Sequence, residues 1–124
     1  MRRRRTIAVK RVCEAPSRSD GLRVLVDRLW PRGLSRRAVA ADLWLREAAP
    51  SPALRRWYAH EPRRWKAFAA RYRAELERRP EVIRMLRDLR RRAPLTLLCA
   101  ARDAERSNAA VLRELLETRR RKRR

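Results

Sequence analysis

Apolar residues along this chain change period from two to 3.6 and back, and those changes mark out the elements. Thr6-Ile7-Ala8-Val9-Lys10-Arg11-Val12 alternates, with Ile7, Val9 and Val12 set to face inward and cations between them, and reads as a first strand. A breaker-rich loop from Glu14 to Gly21 closes on a turn-forming Asp-Gly pair. The second strand then runs from Leu22 to about Arg28. Its Val24-Leu25-Val26 core is uninterrupted, the pattern of a central strand covered on both faces. Pro31 and Gly33 stop it, Ser35 is placed to cap a short helix over Arg36 to Ala40, and Asp42-Leu43-Trp44-Leu45 reads as a third, shorter strand.

The middle of the chain turns helical. Ser51-Pro52 is a helix start, with Ser as N-cap and Pro at the first helical position, and the helix carries Leu54, Trp57 and Tyr58. His60-Glu61-Pro62 is the next boundary. Trp65, Phe68, Ala69, Tyr72 and Leu76 recur at helical spacing, so a helix from Pro62 to about Arg79 buries an aromatic stripe as core. Pro80 breaks that helix and opens another bearing Val82, Leu86 and Leu89. Leu95 to Ala100 is the last strand, and Asp103 is the expected N-cap of a final helix that turns Val111, Leu112, Leu115 and Leu116 inward. Strands alternating with helices predict a single-domain α/β sandwich with a short, largely parallel sheet flanked by helices.

Charge changes this picture more than composition does. The chain has 124 residues and a net charge of +22, carried almost wholly by arginine, since Lys10, Lys66 and Lys122 are its lysines. Ten of the 36 basic residues lie in runs at the two ends, and the other 26 still outnumber the 14 acids. The terminal runs, 1–5 and 119–124, are expected to be disordered basic tails around a domain of residues 6–118. Two readings meet the remaining charge: arginine used wherever a solvated cation would do, or an electropositive surface that draws small anions or nucleic acid. The planar guanidinium suits phosphate because it binds bidentately. No secretory apolar region follows the basic start and no window approaches the ~18 apolar residues of a membrane span, so no membrane partner and a cytoplasmic location are expected.

Several chemistries are set aside by what the residues lack. The two glycines, Gly21 and Gly33, cannot build a dinucleotide or Walker loop. Cys13 and Cys99 form no CxxC pair, the lone His60 cannot complete a zinc site, and no carboxylate cluster suggests a metal or a cofactor. Both cysteines close predicted strands, where small buried thiols are expected; a reactive thiol there would need a lowered pKa.

What remains lies at two strand exits. Asp27, Arg28, Trp30 and Arg32 follow the second strand, and Ala101, Arg102 and Asp103 follow the last. In open α/β sheets ligands bind beyond the carboxyl ends of strands, so parallel neighbours would bring both groups to one rim. In an enzyme, Asp27 or His60 would be the general base while Arg28, Arg32 and Arg102 hold an anionic substrate. In a binding module the same arginines would grip phosphate with Trp30 stacking on a base or sugar. A purely structural account has Asp27 paired with Arg28 or Arg102, Trp30 packed, and Pro31 to Gly33 shaping a turn.

The stretch Asp20-Gly21-Leu22-Arg23-Val24-Leu25-Val26-Asp27-Arg28-Leu29-Trp30-Pro31-Arg32-Gly33 resembles the signature of the DUF488 family, in its YeaO-like branch. The likeness continues through Asp42 to Leu45, Ala49-Pro50-Ser51, Leu54 to Tyr58, His60-Glu61-Pro62, Trp65, Phe68, Arg71-Tyr72 and Leu76. It closes on Thr96 to Asp103 and Asn108-Ala109, spanning about residues 6–117. It implies a small α/β domain and names no reaction. It singles out Asp27, Arg28, Trp30, Pro31, Arg32, Gly33, His60, Arg102, Asp103 and Asn108. The leading expectation is an arginine-lined pocket for a small anionic or phosphorylated ligand. The alternative is a nucleic-acid-binding or accessory protein acting through its basic surface.

Overall fold

Leu95-Thr96-Leu97-Leu98-Cys99 is buried at every position, and a strand with no solvent-facing side belongs inside a sheet. The computed structural model, which describes residues 7–118, places it there. The strands are β1 (Ile7–Arg11), β2 (Leu22–Leu25), β3 (Leu43–Trp44) and β4 (Leu95–Cys99). They form one sheet in the order β1-β4-β2-β3, and every pair is parallel. Ile7 and Leu22 both stand opposite Leu95, so β1, β4 and β2 start level and end at a common rim. Thr6 and the two basic runs expected to be tails lie outside the described residues.

Alternation along the strands sends side chains to two unequal faces. Ile7, Val24, Val26, Leu95, Leu97 and Cys99 face the larger core. Over them pack helices α2 (Pro52–Tyr58), α3 (Trp65–Glu77), α4 (Pro80–Arg92) and α5 (Asn108–Glu117) through Leu54, Phe68, Tyr72, Leu86 and Leu112. The aromatic stripe is therefore core: Phe68 and Tyr72 are buried, and the Tyr72 hydroxyl donates to the Ala48 carbonyl. Its helix begins later than the pattern predicts, because Pro62–Arg64 forms a separate 3-10 turn. Val12, Leu25 and Leu98 face the other way, beneath helix α1 (Arg36–Val39) and its Val39. Val12 is thus buried, but on the opposite face from Ile7 and Val9.

A four-residue helix has too few internal hydrogen bonds to stand alone. Ser35 caps its start by accepting from the Ala38 amide. Its end is held by Arg23, which is 3% exposed and donates to the Val39 carbonyl at 2.7 Å and to that of Ala40 at 3.0 Å. The Arg23 guanidinium pairs with Asp20 at 2.7 Å, and Lys10 reaches the same carboxylate at 2.9 Å. Burial alone would raise the Asp20 carboxyl, but bonds from Lys10, Ser17 and Arg23 hold it well below the usual carboxylate range. Gly21 adjoins this network with φ +65°, and a Cβ there would lie 2.1 Å from the Pro94 carbonyl oxygen. That carbonyl accepts the Leu22 amide, so the close approach aligns β2 with the chain entering β4.

The third layer is pinned from the side. Both Glu75 carboxylate oxygens bind Ser51, one at the amide and one at the hydroxyl, while the Ser51 hydroxyl caps α2 at Leu54. This fixes the start of α2, and hence where Arg55 and Tyr58 stand over the sheet rim.

Candidate functional site

The backbone ladder between β2 and β4 ends where the Val26 amide donates to the Leu98 carbonyl at 3.2 Å. Beyond it the chains part, and Asp27 bridges the gap. One carboxylate oxygen accepts the Ala100 amide at 2.8 Å and the other accepts the Asn108 side-chain amide at 3.2 Å. The Asn108 amide also donates to the Val26 carbonyl at 2.8 Å, and Trp44 Nε1 donates to the Asp27 carbonyl at 2.9 Å. Four segments therefore meet at one residue. Neither Arg28 nor Arg102 pairs with this carboxylate, as the structural account would require. Burial raises the Asp27 carboxyl above its ordinary value, against the Ala100 and Asn108 bonds and the positive charge of Arg55.

Asp27 stands in the wall of a cavity of 390 Å³ beyond the strand ends. Arg28, Arg32, Arg55 and Arg106 line it together with Tyr58, His60, Phe68 and Asn108. His60, the residue whose position the sequence leaves open, thus joins the Asp27 group. It adopts φ +56° directly after Ala59 at +43°, a left-handed pair that is uncommon outside glycine and that turns the chain from α2 toward the rim. Tyr58 stacks on Phe68 with ring centroids 4.5 Å apart, and burial raises its phenol above the ordinary value.

A second lobe of 530 Å³ adjoins the first and shares Tyr58, His60, Ala100, Ala101 and Arg106 with it. Here the structure places Arg102 and Asp103, beside Arg11 at the end of β1. Arg11 Nε donates to the Ala101 carbonyl at 3.3 Å, which holds the guanidinium against the lobe.

Several sequence expectations need correction. Asp103 caps not the final helix but a 3-10 turn, Ala104–Arg106, by accepting from the Glu105 amide; Ser107 caps α5. Asp and Ser stand four residues apart here, and only the turn between them decides which starts the helix. Trp30 lines the first lobe but is not a free stacking platform. Its Nε1 donates to the Leu34 carbonyl at 2.7 Å, its ring meets Trp44 edge-on at 5.3 Å, and Arg36 lies over it at 5.1 Å. Gly33 lies outside both lobes, with φ +77° and open space around its Cα. It shapes the loop that carries Arg32. Cys13 is exposed, because β1 ends at Arg11 and Cys13 falls in the turn that follows the buried Val12; Cys99 is buried behind the site, its thiol pushed up by burial.

Sequence reasoning missed Arg11, Arg55, Tyr58 and Arg106. In a chain this rich in arginine, three more arginines carry no signal of their own, and Tyr58 reads as one more apolar residue of α2. None of Arg28, Arg32, Arg55 and Arg106 forms an ion pair or a side-chain hydrogen bond with a described residue. Among the described residues no helix is long and apolar enough to cross a membrane.

Comparison with known proteins agrees with the resemblance. A family model described as the inactive DUF488-N3 subclade matches residues 6–124. An uncharacterised protein of Mycobacterium tuberculosis is 42% identical over 119 residues, covering 96% of this chain and 100% of that protein. The uncharacterised protein YeaO of Escherichia coli is 38% identical over 112 residues, covering 90% of this chain and 97% of YeaO. No solved structure matches. With the family model spanning nearly the whole chain, and relatives aligned over nine-tenths of it or more, the protein belongs to the DUF488 family, in its YeaO-like part.

Proposed function

We propose that this protein binds a small anionic or phosphorylated ligand in the arginine-lined cleft at the carboxyl ends of β2 and β4, holding it rather than transforming it. One observation carries the reading. Arg28, Arg32, Arg55 and Arg106 line one cavity, none of them in an ion pair with a described carboxylate, around a single anchored acid, Asp27, on which Arg55 acts through its charge alone. Cationic side chains brought together without partners repel one another, and an anion placed among them relieves that repulsion. Guanidinium forks add bidentate geometry for phosphate or carboxylate. The description of the matching family model as an inactive subclade supports binding without turnover. Asp27 and His60 then serve recognition: a carboxylate acceptor and an imidazole in the cavity wall.

Thermal unfolding of the full chain tests this reading with inorganic phosphate, pyrophosphate and mononucleotides at two salt concentrations. An occupied site stabilises the native state by about 2.7 kcal/mol at a hundredfold excess over Kd. The expected result is a shift that survives added salt and is lost in Arg28→Ala and Arg55→Ala. Equal shifts in wild type and both variants, or shifts that vanish with salt, would put the binding on the general basic surface instead.

A further inference from the structure

The two lobes form one cleft, and its layout restricts the ligand further than its charge does. The cleft follows the sheet rim across the ends of β1, β4 and β2, a span of about 10 Å at two strand spacings. Arginines stand at both ends, Arg11 and Arg102 in one lobe and Arg28 and Arg32 in the other, with Arg106 common to both. Phe68 and the Asp27 carboxylate line the 390 Å³ lobe alone, and Tyr58 lines both lobes; the carboxylate of the other lobe, Asp103, accepts the Glu105 amide of its own turn. Asp27 uses one lone pair on each oxygen for Ala100 and Asn108, which leaves acceptor capacity on a carboxylate that lines the cavity. A phosphate set against that carboxylate would be repelled, so the group placed there must be a donor. The matching ligand is a planar N–H donor with an anion on either side.

We infer that the cleft takes one nucleotide unit of a single-stranded nucleic acid, with its base in the Asp27 lobe and flanking phosphates on Arg28 and Arg32 at one end and on Arg11 and Arg102 at the other. The inference rests on the ligand-binding reading above and narrows its ligand class. A free mononucleotide carries phosphate on one side of its base and leaves one arginine group unused; a nucleotide within a strand carries it on both. The base edge donates to Asp27 while its face lies along Tyr58. The surrounding positive surface draws the rest of the strand, without itself selecting the unit that enters.

Fluorescence anisotropy on the full chain tests this with homotrinucleotides, the corresponding mononucleotides, and trinucleotides abasic at the centre. Two double variants are compared, Arg28→Ala/Arg102→Ala in the cleft and Arg78→Ala/Arg84→Ala at exposed positions outside it, with melting curves confirming that each folds. The inference expects at least one trinucleotide to bind about tenfold or more tighter than its mononucleotide. It also expects a loss of about tenfold on removing the central base or on the cleft double change, and a smaller loss for the outside pair. Mononucleotides bound as tightly as trinucleotides, in an Arg28-dependent way, would overturn the strand reading and leave the anion pocket standing. Trinucleotide binding indifferent to the central base or to the cleft arginines would also overturn it. If no mononucleotide or inorganic phosphate then bound with Arg28 dependence, the pocket reading would fall as well.

Discussion

Asn108→Ala removes the bolt that closes the rim. Its side-chain amide donates to the Val26 carbonyl at 2.8 Å and to the Asp27 carboxylate at 3.2 Å, so one substitution deletes two bonds that tie α5 to the end of β2. A neutral hydrogen bond contributes about 1 kcal/mol and one to a charged acceptor about 1.5–3, so a loss of about 2–4 kcal/mol is expected at neutral pH. At a urea m-value of about 2 kcal/mol/M this moves the midpoint down by about 1–2 M. The deficit carries a pH signature. The Asp27 carboxyl already lies above its ordinary value of 3.8, so the native state holds that proton more tightly than the unfolded chain does. The stability linked to it is present at low pH and is lost as pH rises through the folded-state value. Removing Asn108 takes away a bond that favoured the charged form, which raises the carboxyl further. The deficit is therefore smallest near pH 4 and grows toward pH 7. Urea titrations at pH 4, 5.5 and 7 measure it. A deficit below about 0.5 kcal/mol, or one of equal size at all three pH values, would show that Asp27 does not depend on Asn108 for its charge.

Other consequences are as direct. Gly21→Ala places a Cβ 2.1 Å from the Pro94 carbonyl and should lower Tm far more than Gly33→Ala, whose Cβ enters open space and bears only the left-handed backbone cost of about 1 kcal/mol; similar melting temperatures would refute the contact. Arg23→Met leaves Asp20 with an unmatched bond and abandons the end of α1, at about 3–5 kcal/mol by urea unfolding. Because Asp20 is held below its ordinary value, the stability it contributes is present above that value and is lost as pH falls. Wild type should thus weaken more steeply than Arg23→Met below pH 4, and parallel acid curves would argue against the pairing. Titration with a thiol reagent should find Cys13 reactive in the native protein and Cys99 reactive after denaturation; two fast thiols under native conditions would contradict the burial of Cys99.

Local chemistry was legible wherever a residue's own covalent nature decides the outcome. Apolar Val24-Leu25-Val26 and Leu95 to Cys99 have no polar side to give to solvent, so their place in the middle of a parallel sheet follows from their order along the chain. Ser35 and Ser51 before their helices are read off a hydroxyl and its spacing to the third amide. The strand exits were legible as the place where Asp27, Arg28 and Arg32 gather, because the connection beyond a buried parallel strand must emerge at a rim. What the residues alone left open was which of many similar groups meet there. Thirty-three arginines have one and the same side chain, and no local pattern separates Arg55 and Arg106, which enter the cavity, from Arg78 and Arg84, which face solvent outside it. The sheet order decides that, by setting β1 and β2 on either side of β4 so that Arg11, Ala100 and Asp27 end side by side. Packing likewise decides the fate of Trp30, whose indole could have met a ligand but meets Trp44, Leu34 and Arg36. Asp27 is the clearest case. Its identity marks a carboxylate at a strand end, but only Ala100 and Asn108, more than 70 residues away along the chain, make it a fixed acceptor in a cavity wall. Such contacts depend on distance in space, and that is set by the packing of α5 and β4 against β2.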